Sequence, residues 1–404
     1  MRSLRWAAAT VSVCSLLWIT SGLVFASGPP QVDRGDKPQG VGGFVCRTEI
    51  NVEEASGGKS ARDGQCPYIV GKCDEPEVWD AFIPGTAQVL TLRLHFNVFC
   101  DNAGQNCALS QSEIDDQMGF TNAAFAEANV EFVYATEFIN NSTFLNVSLG
   151  QIGAMKQQYA DDPLHQLNVY VVASEVGGMA TFPWAGNALS WSGGIYMSAS
   201  SFAPDKHWLT HEIGHCIGLL HTHQGTVVYD CGESGLLDAF EPCYEYADGS
   251  NGDTSGDFCS DTRPTPVNRS CDQPDPSEVD CAGTPWGMTD IENIMGYSID
   301  EDPYGYYECR TEFAGQQWGR VHCWVNEKLT CWIVMLPGDV NCSGRIDISD
   351  AVYLVNYIYH GGPAPCPLPN VGDLDCSGGI DVDDVYVLID YIFRGGPAPV
   401  CCAD

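Results

Sequence analysis

The densest chemistry in the sequence lies in His211-Glu212-Ile213-Gly214-His215-Cys216-Ile217-Gly218-Leu219-Leu220-His221. On a helix, His211 and His215 stand one turn apart on the same face. Two imidazoles so placed can meet one Zn²⁺ at roughly 2.0–2.1 Å. Glu212 then projects beside the metal, where a carboxylate can take a proton from an activated water and pass it to a leaving amine. Gly218 lets the helix end in a sharp turn, which brings His221 round as a third ligand. Three protein ligands leave a fourth position for water, the mark of a catalytic rather than a closed structural site. His223 raises the question of which histidine ligates, and the spacing favours His221. His207, one turn before His211, reads as a hydrogen-bonding residue rather than a ligand. Cys216 is open between a small core residue, an unpaired thiol and a partner for a distant cysteine.

A second set of ligand-type residues closes the chain as a repeat. Gly338-Asp-Val-Asn-Cys-Ser-Gly-Arg-Ile-Asp returns 34 residues later as Gly372-Asp-Leu-Asp-Cys-Ser-Gly-Gly-Ile-Asp. Asp339, Asn341, Ser343, Asp347 and Asp350 fall at positions 1, 3, 5, 9 and 12 of a calcium loop, as do Asp373, Asp375, Ser377, Asp381 and Asp384. Gly344 and Gly378 take position 6, where such a loop turns sharply. Residue 12 is Asp, not the Glu of an EF-hand. An amphipathic helix follows each loop, with Val352, Leu354, Val355 and Ile358 in one and Val385, Leu388, Ile389 and Ile392 in the other.

The elements that must position the histidines are legible upstream. Gln88 to Phe99 alternates, with Leu90, Leu92, Leu94, Phe96 and Val98 on one face, and predicts a half-buried strand. Cys100 and Cys107 bracket a loop and can pair. Ser110 with Glu113 predicts a capping box ahead of a helix carrying Ile114, Met118, Thr121, Phe125 and Ala128. Further strands are expected at Val130 to Tyr134, Leu167 to Val172 and Gly193 to Ser198. Strand, helix, strand, strand and a metal-binding helix make an α/β pattern. From Gly225 to about Tyr307 the chain is rich in Asp, Gly, Pro and Cys, so an irregular, disulfide-held lower half is expected.

The 404 residues suggest two or three units. Arg2 and Arg5, the apolar run Trp6 to Phe25 and the small residues around Ala26 read as a signal peptide over 1–26. Its removal moves the formal charge from −35 to −37 and leaves 19 of the 20 cysteines. Such acidity argues against nucleic-acid or anionic-membrane partners, and no later stretch predicts a membrane span. In an exported chain the cysteines mean disulfides, with at least one thiol left over. Residues 27–87 read as a propeptide or N-terminal extension containing Cys46, Cys66 and Cys73. A thiolate from Cys46 in the open zinc position would keep the enzyme latent, but an ordinary disulfide is the favoured reading of that cysteine.

The full histidine pattern is the metzincin signature, and Asn293-Ile294-Met295-Gly296-Tyr297 fits the Met-turn of that clan. The chain resembles the pappalysin family more narrowly, through Leu167-Asn-Val-Tyr-Val-Val, Gly178-Met-Ala-Thr-Phe-Pro183, Leu209 to Thr222, Gly256-Asp-Phe-Cys-Ser-Asp-Thr262 and Asn293 to Tyr297, together spanning about 88–330. The resemblance implies a secreted endopeptidase with zinc and structural calcium. It gives Met295 as a support beneath the zinc, Tyr297 near the developing oxyanion, and Asp257 and Asp261 as calcium ligands. It also implies a Cys271–Cys309 disulfide and a bridge from Cys231 or Cys243 to Cys281. The family usually has Phe at 223 and Asp at 296. The C-terminal repeat resembles a type I dockerin, which implies two bound Ca²⁺ ions and docking to a cohesin or cell-surface scaffold. Ser343, Ser377, Cys342 and Cys376 depart from that pattern, and Cys366, Cys401 and Cys402 are expected to brace the two copies.

The expected architecture is an α/β (α+β) zinc metallopeptidase domain over 88–335 and a small all-α calcium-loop module over 336–404. The expected activity is secreted, bacterial zinc endopeptidase chemistry on polypeptides. Two other classes stand beside it: a calcium-dependent attachment protein with a vestigial catalytic domain, and a dockerin-borne component of polysaccharide degradation. The intact ligands, base and Met-turn count against the first, and the absence of an assignable carboxylate pair counts against the second.

Overall fold

A computed structural model of the protein describes residues 46, 48, 71–75, 89–202, 206–226, 243–302 and 305–400, with backbone alone over 300–302 and 305–307. The signal segment 1–26, most of 27–87, Cys66, Cys231, Cys401 and Cys402 lie outside the described residues. Among those described, no helix is long and apolar enough to cross a membrane.

The chain runs β1 (Leu90–Cys100), α1 (Gln111–Phe125), β2 (Val130–Asn140), α2 (Ser142–Leu145), α3 (Ile152–Tyr159), β3 (Leu167–Val172), β4 (Gly178–Met179), β5 (Ile195–Ser198) and α4 (Trp208–Cys216). It continues with the hairpin β6 (Ile299–Asp302) and β7 (Gly305–Glu308), then α5 (Gly315–Lys328), α6 (Ile348–His360) and α7 (Val382–Arg394). Five strands form one sheet in the order β2-β1-β3-β5-β4. All pairs are parallel except β4 with β5, so β4 is an antiparallel edge.

β1 differs from the half-buried strand that its alternation predicts. Leu90, Leu92, Leu94, Phe96 and Val98 do share a face, packed with α1, α4 and α5. His95, Asn97 and Phe99 are buried too, and Phe99 joins a second core with residues of α2 and α3. A strand between two parallel neighbours with both faces covered has no solvent side. On the second face Asn97 Nδ2 donates to Asn168 Oδ1 at 3.1 Å, and His95 Nδ1 faces the Asp161 carboxylate at 3.5 Å.

α1 starts where its sequence predicts. Ser110 N donates to the Glu113 carboxylate at 2.8 Å and Glu113 N returns to Ser110 Oγ at 3.4 Å, the reciprocal capping box. β2 is longer than expected, ending at Asn140 rather than Tyr134, while β3 has the expected limits. α3, the two-residue β4 and the β6–β7 hairpin carry no periodicity long enough to be seen in advance. The Cys100–Cys107 and Cys271–Cys309 disulfides are present. Cys243 and Cys281 are each disulfide-bonded.

In the tail, α6 and α7 close on a small core made of repeat-related pairs: Val340 with Leu374, Ala351 with Val385, and Leu354 with Leu388. Val352, expected inside, is half exposed, because Ala351 takes the inward position. Cys366 bonds Cys342 in the first loop. It therefore staples that loop to the connection between the copies and does not join copy to copy. Packing crosses both expected domain boundaries. Leu368 and Val371 belong to the main core, Asn370 N donates to Asn326 Oδ1 at 3.0 Å, and Cys73 is bonded to Cys323 of α5.

Candidate metal centre

α4 is buried along its whole length, so its polar residues must be paired inside the protein. The helix ends at Cys216, and Gly218, at φ +104°, reverses the chain. That turn brings His221 to the two helical histidines. The three Nε2 atoms converge, with His215–His211 at 3.1 Å, His215–His221 at 3.0 Å and His221–His211 at 3.2 Å.

The hydrogen bonds behind the rings decide what these nitrogens can do. His211 Nδ1–H donates to the Ile294 carbonyl at 2.8 Å and His215 Nδ1–H to the Leu219 carbonyl at 2.7 Å. A carbonyl only accepts, so both rings carry their proton on Nδ1 and present lone pairs at Nε2. Burial pushes His215 down to about 4 and holds His211 and His221 well below the ordinary histidine range. Neutral imidazoles facing one another with bare nitrogens repel unless a cation lies between them. The donor set, three imidazoles and an open side, suits zinc.

Met295 lies beneath this cluster, fully buried, and a Cβ at Gly214 would stand 2.7 Å from its sulfur. Glycine at 214 is therefore what lets the Met-turn approach α4. His223 is not part of the cluster. Its ring stacks on His221 at 4.8 Å between centroids, only 9° from parallel. His207 is buried against Phe120, away from the three nitrogens. Cys216 is a buried free thiol in the main core. The Tyr297 ring sits 4.7 Å from that of His221, with the Arg269 guanidinium above it at 5.8 Å.

Glu212 points to the same space. Its Oε1 is buried without a partner and its Oε2 accepts from Thr48 Oγ1 at 2.9 Å. Burial pushes its carboxyl up to about 7. The favoured reading of Cys46 as an ordinary disulfide does not hold: its thiol is free and buried. Cys46 Sγ lies 3.5 Å from His221 Nε2 and 3.7 Å from His215 Nε2, making a four-residue cluster with His211. Cys46 bridges in parallel to Gly178 on the edge strand, and Ala180 N donates to Thr48 Oγ1 at 2.7 Å. Neither Thr48 nor this pairing had a sequence signal, because the contacts span 132 to 175 residues.

Behind the cluster, the Glu308–Arg310 pair ties α4 to the Met-turn. Glu308 Oε2 accepts from His207 N and Trp208 Nε1, both at 3.0 Å. Arg310 Nη2 meets Glu308 Oε1 at 2.6 Å and Nη1 donates to the Gly296 carbonyl at 2.9 Å.

The two expected calcium residues lie close enough for the Asp261 charge to raise the Asp257 carboxyl, but their hydrogen-bond partners differ. Asp257 is buried and accepts from Cys259 N and Thr262 Oγ1. Asp261 instead accepts from Gln316 N at 2.8 Å, at the start of α5, where exposed backbone N–H groups favour a carboxylate. Another carboxylate near Asp257 is Glu245, 1% exposed with neither oxygen partnered. Burial and the Asp257 charge hold Glu245 well above the ordinary carboxylate range. In the tail, oxygens of Asp373, Asp375 and Asp384 all lie within 4.8 Å of one another. Asp347 and Asp381 cap α6 and α7 through Ser349 N and Asp383 N, at 2.8 Å each. Asp339 gathers Ser343 N and Gly344 N, and Ser377 N goes to Asp373 and Asp375. Asn341 N and Asp347 N donate to Asp350.

No described family's sequence profile matches the chain. Human Pappalysin-1 is 32% identical over 171 residues, which cover 41% of this chain and 10% of that protein. An extracellular metalloprotease of the fungus Colletotrichum graminicola is 27% identical over 246 residues, 58% of this chain and 76% of that protein. The chain thus spans about a tenth of the length of the first relative. Among solved structures, a promirolysin mutant from Tannerella forsythia aligns over 70% of this chain and 94% of its own, at 19% identity and a TM-score of 0.45. The chain is thus similar in sequence to metalloproteases, and its buried histidine cluster has a donor set that could hold a metal ion.

Proposed function

We propose that this chain is a secreted zinc metalloendopeptidase in which His211, His215 and His221 hold the metal and Glu212 is the general base. The observation that carries the reading is the convergence of three Nε2 atoms beside a buried carboxylate. Zinc, when bound, supplies Lewis-acid polarisation of a carbonyl and makes water more acidic. Glu212 takes a proton at its carboxylate and returns it to the leaving amine. A carboxyl shifted up by burial is suited to both directions near neutral pH. The β4 edge offers backbone groups to an extended polypeptide, and Tyr297 stands ready to donate to the developing oxyanion. Export follows from the N-terminal pattern and fits the extracellular relatives. Mass spectrometry of a diverse peptide mixture, with and without chelator, tests the activity. Cleavage should require metal and fall by about 10³-fold or more in Glu212→Ala. An unchanged rate in that variant sinks the mechanism.

A second reading concerns latency. Cys46 lies where a thiolate would complete a tetrahedral zinc set, and Thr48 occupies the base. In this reading the segment carrying them belongs to a propeptide whose removal exposes the site. Cys46→Ala in the uncleaved chain should raise peptide cleavage, and an unchanged rate rejects it.

Calcium is proposed at Asp257 and Asp261 with the nearby Glu245, whose buried oxygens have no protein partner, and in the two tail loops. The tail, 336–404, is then a dockerin-like module that folds on Ca²⁺ and docks to a cohesin or scaffold. Isothermal titration with calcium tests the ion, and pull-down with a purified cohesin tests the partner.

A further inference from the structure

We propose that the short turn Gly71–Glu75 is a working part of the metal site, with Asp74 and Arg320 as positioning residues for the loop that delivers His221. The inference rests on the zinc reading above and adds to it residues that lie well away from the histidine motif in sequence.

His211 and His215 are placed by α4 itself. His221 is not helical, so its position depends on the Gly218 turn. Two features of α5 hold that turn. A Cβ at Gly218 would lie 2.1 Å from Trp324 Cδ1, so the indole is packed directly on the glycine. Arg320 then donates to the Gly218 carbonyl twice, from Nε at 3.3 Å and from Nη2 at 3.2 Å. A planar guanidinium can fix a carbonyl in this forked way.

Arg320 is fully buried, and a buried cation needs a counter-charge to stay in place. Asp74 supplies it, with Oδ1 at 2.9 Å from Arg320 Nη1. The same Nη1 donates to the Cys73 carbonyl at 3.1 Å. Asp74 is itself positioned, since Gly71 N donates to its Oδ2 at 3.1 Å and closes the turn. The turn is fastened to α5 by the Cys73–Cys323 disulfide and by Lys72 with Glu327 at 2.5 Å. It also touches Trp324, because a Cβ at Gly71 would be 3.2 Å from that indole. Arg320 and Trp324 therefore contact the Gly71–Glu75 turn on one side and the Gly218 turn on the other. Groups behind the ligands of a metal site commonly set its affinity by orienting them.

The test uses the full chain. Zinc affinity is measured by chelator competition, alongside the visible spectrum of the cobalt-substituted protein, in wild type, Asp74→Asn, Arg320→Lys and Ile152→Ala. The last makes a cavity on the far side of the sheet and controls for general destabilisation. Asp74→Asn and Arg320→Lys should bind zinc about 10–100-fold more weakly and shift the cobalt spectrum, while Ile152→Ala keeps both. Wild-type affinity and spectrum in the two variants overturn the proposal, as does an equal loss in Ile152→Ala. If Asp74→Asn does not fold, Arg320→Lys, which keeps the charge but loses the fork, decides alone. A wild-type chain that binds no zinc overturns instead the reading on which the proposal rests.

Discussion

His223 backs the histidine cluster through its ring alone. Its ring lies flat on His221, and burial pushes it down to about 3, so it acts as a neutral aromatic plate. Phe at 223 should do the same work and keep zinc affinity, measured by chelator competition, near wild type. Ala should lower that affinity by about 3–10-fold, the worth of one aromatic pair. Lys156 is a second buried group with a readable consequence. Its Nζ donates to the Gly193 carbonyl at 2.8 Å and the Gly194 carbonyl at 3.3 Å, and burial pushes it down to about 8. An unfolded lysine titrates near ~10.4. Between those values the unfolded chain holds a proton that the folded chain has released, so stability rises with pH there. Urea unfolding at pH 7.5 and 9.5 should show wild type gaining on Lys156→Met as pH rises, and a constant difference between them rejects the assignment. The three proposed zinc histidines were legible in sequence because one helix and one turn set their geometry locally. Thr48, Glu245 and Asp74 were not, because tertiary folding alone brings them to their partners, and for Cys46 the sequence offered the zinc position only as the less favoured alternative to a disulfide.

At the scale of elements, the Gly218 turn is the most exposed to test. A side chain there meets both an unfavourable φ and Trp324. Gly218→Ala should cost about 2 kcal/mol or more and weaken zinc, read by thermal melting and metal content. Ser110→Ala removes one N-cap from α1 and should cost about 1 kcal/mol with zinc affinity unchanged, since α1 carries no ligand. Regular elements with long periods, α1 and β3, could be read directly from the pattern. β4 could not: two residues have no period, yet they form the edge beside the site. Asp261 has a second role that the sequence did not announce, at the start of α5. A Gly-Asp-rich stretch announces carboxylates but not which of them faces an ion and which caps the next helix.

For the molecule as a whole, the tail is both a unit and a continuation. Its repeat-related core is its own, but Leu368 and Val371 are set in the main core and Asn370 is tied to α5. Under the calcium reading, adding Ca²⁺ should raise the melting temperature of wild type. Asp384→Ala, which empties the centre of the second loop, should lose part of that rise, and an identical rise in both rejects Asp384 as a ligand. At the other end, Cys73 and Cys323 close the chain into a covalent ring that holds the whole sheet and all three histidines. Under the peptidase reading the molecule lives among active copies of itself, and a ring has no free end to pull away. A single cut anywhere inside it leaves one molecule, visible as two fragments only after reduction. Nicked protein can then keep its metal site assembled, so a gel run without reductant would report it as intact.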